Sequence, residues 1–143
     1  MRAWPIPAAY DPDRLTCGRV LFAGDAAGVV DPMTGEGIAQ AFETGVLAAH
    51  ATLDRAGDPD VVATQYRAAV DQALGRDLRF AARLQRVLAH PRGAELALRT
   101  VDLTPWTRRN FARWMFEDYP RAILFTPDRW HRDVFTRPGA YAP

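Results

Sequence analysis

The chain has 143 residues, 48% hydrophobic and 24% charged, a balance that supports a folded domain with its own core. The net charge of +1 gives no argument for nucleic acid or an anionic surface, and no apolar run approaches the ~20 residues of a spanning helix. Cys17 is the only cysteine, which excludes an internal disulfide and a cysteine zinc cluster. With no second cysteine or basic neighbour pair to activate it, it reads as a small, partly buried residue, a redox or substrate-contacting thiol being the alternative. No apolar leader follows Met1, so a reducing, cytoplasmic setting is expected, with peripheral contact to a membrane left open.

In chain order, Pro5, Pro7 and Pro12 disfavour helix over residues 1–18. Ala3 to Ile6 fits a short edge strand, and Asp11-Pro12-Asp13 fits a turn. Val20 to Ala23 is an apolar run with the character of a buried strand. Gly24 to Thr34 is a loop rich in Gly, Asp and Pro. From Gly35 to about Arg55 the spacing predicts a helix, with Thr34 as its N-cap and Glu36 in its first turn. Ile38, Ala41, Phe42, Gly45, Ala48, Ala49 and Leu53 mark one face, and Gly45 suggests close approach of a neighbour. Gly57 is the expected stop.

Asp58-Pro59 has the cap-plus-proline form of a helix start. The pattern then runs to about His90, with a bend expected near Gly75. Arg67, Arg76, Asp77, Arg79, Arg83 and Arg86 read as mostly a solvated face, since the arginines are spread over several turns rather than clustered as a phosphate site needs. Pro91-Arg92-Gly93 breaks the pattern, and Ala94 to Val101 forms a short helix. Thr104-Pro105 opens another helix, to about Asp118, carrying Trp106, Phe111, Trp114 and Phe116, with Tyr119 beyond it and Pro120 ending the segment. Ala122 to Phe125 fits helix or strand. Thr126-Pro127 caps one more turn bearing Trp130 and Phe135, and the tail from Arg137 is expected to be loose. The fold expected is mainly α with one to three short strands. The aromatics fit an ordinary core or the lining of an apolar cavity.

The strand–loop–helix from Arg19 to Thr44 holds the candidate site, because ligands of open α/β sheets lie beyond the carboxyl ends of strands. Gly24 and Gly28 let backbone approach a ligand. Asp25 can accept hydrogen bonds from hydroxyls, or it can brace the loop by bonding nearby N–H groups. Pro32 fixes the loop, and the N–H groups from Thr34 to Ile38 can stabilise an anion or an electron-rich carbonyl. The loop lacks the Gly-Lys-Ser/Thr of a nucleotide P-loop. Asp25, Asp31 and Glu36 offer carboxylates, but turn and helix-start roles account for two of them, so no metal is expected. A serine triad is excluded because the chain has no serine, and His50, His90 and His131 show no metal spacing.

Gly24-Asp25, six residues, then Pro32 resembles the second flavin motif of the group A flavoprotein monooxygenases and their relatives. The run Asp31-Pro32-Met33-Thr34-Gly35-Glu36-Gly37-Ile38 is most similar to the geranylgeranyl reductase branch. The resemblance is specific over about Arg19 to Gly45. It implies FAD as cofactor, with Asp25 on the ribityl chain and Pro32 beside the isoalloxazine. The backbone of Gly35, Gly37 and Ile38 would face flavin N1 and the C2 carbonyl. Gly24, Ala26, Gly28 and Thr34 belong to the same cofactor-binding loop, and no catalytic residue follows from the resemblance. The activity implied is delivery of hydride equivalents to isolated double bonds of a prenyl or other apolar substrate.

The family's Gly-x-Gly-x-x-Gly turn for the ADP half of FAD is not in this sequence. The chain is therefore read as the C-terminal part of a flavoenzyme. Residues 1–57 would be the end of an α/β FAD-binding domain of the GR2 type, and residues 58–143 a helical, aromatic-rich region covering the substrate. The expected partners are an apolar small molecule and the missing N-terminal dinucleotide-binding half, or self-association through the strand edge. A flavin monooxygenase or halogenase part is the neighbouring alternative. A non-catalytic helical remnant binding a partner or apolar ligand is the alternative of a different class.

Overall fold

The computed structural model describes residues 7–54, 58–116 and 120–130. The expected edge strand at Ala3–Ile6, the Gly57 stop, Tyr119, Phe135 and the tail lie outside these residues. Among the described residues the chain is mainly helical, with two short antiparallel strands. It divides into two compact units, one through Ala82 and one from Arg83.

The first unit begins with a 3₁₀ turn at Pro12–Arg14, capped by the Asp11 carboxylate accepting from Asp13 N at 3.0 Å. A hairpin follows: β1 (Thr16–Cys17) pairs with β2 (Val20–Leu21), Thr16 opposite Leu21. Gly18 stands first in the two-residue turn with φ 55°, a left-handed conformation that glycine adopts without steric cost. The strand expected over Val20–Ala23 is thus shorter and less buried, with Val20 exposed, because its only ladder partner among the described residues is β1.

Helix α1 spans Ile38–Asp54 and starts three residues later than the spacing predicts. The cause is Gly35, whose φ of 76° is incompatible with a helical turn. Thr34 is consequently not the N-cap. Its hydroxyl donates to Asp31 Oδ2 at 2.9 Å. The buried side of α1 carries Thr44 and Ala51, with Leu47 and Ala48 packed against the core. Ile38, Phe42, Val46 and Leu53 are exposed. Gly45 also faces open space rather than a tight neighbour, so the close approach expected there is not made among the described residues.

Helix α2 (Pro59–Val70) opens as expected, with Asp58 accepting from Asp60 N at 3.0 Å and Pro59 in its first turn. A π-turn at Asp71–Gly75 interrupts it before α3 (Arg76–Leu88), at the place where Gly75 suggested a bend. Tyr10 donates to Asp71 Oδ1 at 2.9 Å, and Arg79 also bonds that carboxylate. Leu15, Ala27, Val29, Ala51, Tyr66, Val70 and Leu78 form the core of this unit.

The second unit contains the end of α3, then α4 (Pro91–Val101) and α5 (Pro105–Phe116). Pro91 starts α4 rather than breaking the pattern, since the first helical position needs no N–H and His90 is extended, as residues before proline are. Thr104 and Thr107 cap α5 reciprocally, each hydroxyl accepting from the other's backbone N–H at 3.0 and 2.9 Å. Ala122–Phe125 resolves as a 3₁₀ turn at Ile123–Phe125, followed by another at Pro127–Arg129. Trp114 donates to Arg121 O at 3.1 Å and Trp130 to Ile123 O at 2.6 Å. No helix among the described residues is long and apolar enough to cross a membrane.

Candidate functional site

The loop between β2 and α1 is held by contacts that leave one edge open. Gly24 adopts φ 57°, and a Cβ there would lie 3.0 Å from Ala41 Cβ, so the loop backbone sits directly on α1. Gly24 N donates to Thr44 Oγ1 at 2.9 Å, and that hydroxyl passes its own proton to Gln40 O at 2.7 Å. Thr44 is fully buried. From the other side Tyr66 donates to Phe22 O at 2.6 Å, just before the loop. Burial pushes the Tyr66 phenol above its ordinary range, which keeps it a donor at all ordinary pH.

Gly24–Ala27 forms a 3₁₀ turn that ends on Gly28 in a left-handed conformation. A side chain at Gly28 would meet Ala9 O at 3.0 Å, so Gly28 serves packing against the N-terminal segment. Asp25 and Ala26 are exposed on this turn. The Asp25 carboxylate lies against Gly37, where an added Cβ would be 3.1 Å from Oδ1 and 3.1 Å from Val30 Cγ2. Gly37 is the last residue before α1, and its carbonyl accepts from Ala41 N at 2.8 Å. An exposed carboxylate therefore stands beside the first turn of a 17-residue helix, whose leading N–H groups lack intrahelical acceptors.

Asp31 shapes the rest of the loop, in the kind of turn role expected for a carboxylate of this stretch. It is buried, and its oxygens accept from Met33 N at 3.0 Å and from the Thr34 hydroxyl at 2.9 Å. Its backbone N–H donates to Glu36 O at 2.8 Å, and its carbonyl accepts from Gly35 N at 2.9 Å. Aspartate two residues before an N–H it can bond is an Asx turn, and Asp31-Pro32-Met33-Thr34 carries that signal. Pro32 is half-buried within this turn, while Gly35 is exposed with open space around its Cα. Ile38 is exposed at the head of α1.

The structure thus brings Gly24, Asp25, Ala26, Gly37 and Ile38 to the junction of the loop with α1, with Pro32, Thr34 and Gly35 on the Asp31 turn. Gly28 faces the N-terminal segment. Chemically, the junction offers a carboxylate that can accept from hydroxyls, beside helix-terminal N–H groups suited to an electron-rich carbonyl or an anion. Among the described residues no group of three or more His, Cys, Asp or Glu side chains is arranged to hold a metal.

Comparison with known proteins adds one finding. Part of the chain is similar to a geranylgeranyl reductase. The relative is a digeranylgeranylglycerophospholipid reductase from Methanocella arvoryzae, 38% identical over 76 residues. The alignment takes in 51% of this chain and 19% of the relative, so the chain spans well under a third of that protein's length. The likeness is to part of that reductase and gives no finer identity. No protein-family model matches the chain. No solved structure matches it either.

Proposed function

We propose that this chain carries the flavin-facing part of an FAD-dependent reductase that saturates isolated double bonds of a prenyl or other apolar substrate. The observation that carries the reading is the exposed Asp25 carboxylate beside Gly37 at the start of α1. The partial likeness to a lipid-chain reductase supports the same reading. The residues fit the group: Asp25 can accept from ribityl hydroxyls. Gly35 leaves room for a planar ring, and the N–H groups at the head of α1 can face a carbonyl that gains charge. FAD, when bound, supplies the hydride chemistry.

The chain's own residues bind and orient. Thr44 and Tyr66 fix the backbone on either side of Ala23, so Asp25 leaves the hairpin at a set position. Asp31 fixes the turn that presents Pro32 and Gly35. The helix terminus provides a fixed dipole that costs no reorganisation when negative charge develops nearby. The ADP half of FAD has to be held by residues other than these 143, since the Gly-x-Gly-x-x-Gly turn is not among them.

The test is to co-express the chain with the polypeptide carrying that turn, reduce the bound flavin without oxygen, and supply a geranylgeranyl lipid. Mass spectrometry should find two hydrogens added per saturated double bond. A complex that purifies without flavin, or a lipid recovered fully unsaturated, would contradict the proposal.

A further inference from the structure

The net charge of +1 hides a division along the chain. Residues 1–82 carry seven arginines against eleven carboxylates, a net of −4, while residues 83–143 carry eleven arginines against six carboxylates, a net of +5. The sequence has no lysine, so arginine supplies every one of these positive charges. We infer that the second unit docks on the surface of an anionic phospholipid bilayer through the outward side of α4 and α5. This inference goes beyond the flavin reading and uses none of its residues.

Three observations carry it. First, α4 presents Arg92, Leu96 and Arg99 at spacings of four and three, so they share one exposed stripe, while Ala94, Ala97 and Val101 are partly buried on the other side. Arg99 is tied to Glu95 at 2.7 Å, and Arg92 stands exposed at the start of the stripe. Second, the apolar side chains beside these charges face water: Leu96 is 67% exposed, and Leu103, between the two helices, 72%. Trp106 opens α5 half-exposed, with the exposed Arg109 one turn on along the same side. Third, the mixture suits a lipid interface better than nucleic acid. Guanidinium groups bind phosphate in a bidentate manner, and leucine and tryptophan gain by entering the headgroup–acyl boundary, whereas leucine gains nothing on a phosphate backbone. Charge complementarity thus selects an anionic surface, and the exposed leucines select lipid.

The experiment is co-sedimentation of the 143-residue chain with phosphatidylglycerol vesicles and with phosphatidylcholine vesicles, at low and high salt. The chain should pellet with the anionic vesicles and be released by salt. Arg92→Gln with Arg109→Gln should weaken binding roughly 30-fold, about fivefold for each charge near the surface. Leu96→Ala with Trp106→Ala should weaken it by a factor that salt does not change. Arg14→Gln, in the first unit, should leave it unaltered. Far-UV circular dichroism checks that the variants, all at exposed positions, keep their helices. Equal binding to both vesicle types would overturn the inference, as would an unaffected Arg92/Arg109 variant or tighter binding to a DNA duplex than to phosphatidylglycerol at the same salt. No flavin is present in this assay, so its failure leaves the flavin reading untouched.

Discussion

Replacing Thr44 by valine keeps the shape of the side chain and removes one oxygen. That oxygen accepts from Gly24 N at 2.9 Å and gives its own proton to Gln40 O at 2.7 Å, inside a site with no solvent exposure. In Thr44→Val the Gly24 N–H stays buried with no acceptor, because Gly24 is pinned against Ala41 and cannot turn toward water. The Gln40 carbonyl keeps its helical partner, so one donor sets the cost. A buried unsatisfied donor costs about 1–3 kcal/mol. Taking about 2 kcal/mol, and about 2.1 cal/mol/K of unfolding entropy per residue over 143 residues, the melting temperature should fall by roughly 7 °C. Thr44→Ser is the comparison: it keeps the acceptor and loses one methyl, for about 0.8 kcal/mol. Thermal melts followed by circular dichroism separate the two. A valine variant as stable as the serine variant would refute the claim that Thr44 anchors the loop.

Two further outcomes follow from the π-turn. In Gly75→Ala the new methyl would run into Asp71 Oδ1 and displace it from Tyr10 and Arg79, but these side chains are partly exposed and alanine is the better helix former, so urea unfolding should register a net loss below about 1 kcal/mol. The same cluster predicts pH dependence at both ends. The Arg79 bond, with help from Tyr10, holds the Asp71 carboxyl below its ordinary range. A depressed folded pKa stabilises above the unfolded value, near 3.9, and that contribution is lost as acid titrates Asp71 in the folded chain, so Asp71→Asn should flatten the acid limb of the stability profile. Burial, then the bond to Asp71, raises the Tyr10 phenol above its ordinary value. The unfolded chain therefore ionises first above about pH 10, stability falls there, and Tyr10→Phe should shrink that fall.

Much of this architecture is legible in the residues, and the exceptions have physical causes. Asp58-Pro59 and Thr104-Pro105 announce helix starts because capping and proline are local chemistry, and both behave so in the fold. Gly75 announces the interruption of the second helical run. The start of α1 is misplaced by three residues because Thr34 has the chemistry of a cap and does accept from Glu36 N at 3.3 Å, yet Gly35 turns left-handed, so that bond closes a turn and the helix begins only at Ile38. The conformation of a single glycine is not displayed by spacing. Strand β1 is invisible because a two-residue ladder has no periodicity to detect. Gly45 and the apolar stripe of α1 announce a close neighbour that the described residues do not supply. Within the candidate site the glycines and Asp25 stand out by residue type. Thr44 and Tyr66, which hold the loop from 20 and 44 residues away, carry no local signal.

Asp25 is the residue expected to meet the flavin. In the complex assembled with the ADP-binding polypeptide, FAD should be titrated by flavin fluorescence into the wild type and Asp25→Ala, with urea unfolding of each apo-protein alongside. Losing a charge-assisted hydrogen bond of about 1.5–3 kcal/mol should weaken FAD roughly 10- to 150-fold. Asp25→Asn should fall between the two, and apo stability should change little because the carboxylate is exposed. Unchanged FAD affinity in Asp25→Ala, or a loss of apo stability as large as the loss of affinity, would mean that Asp25 only braces the loop and would contradict the account.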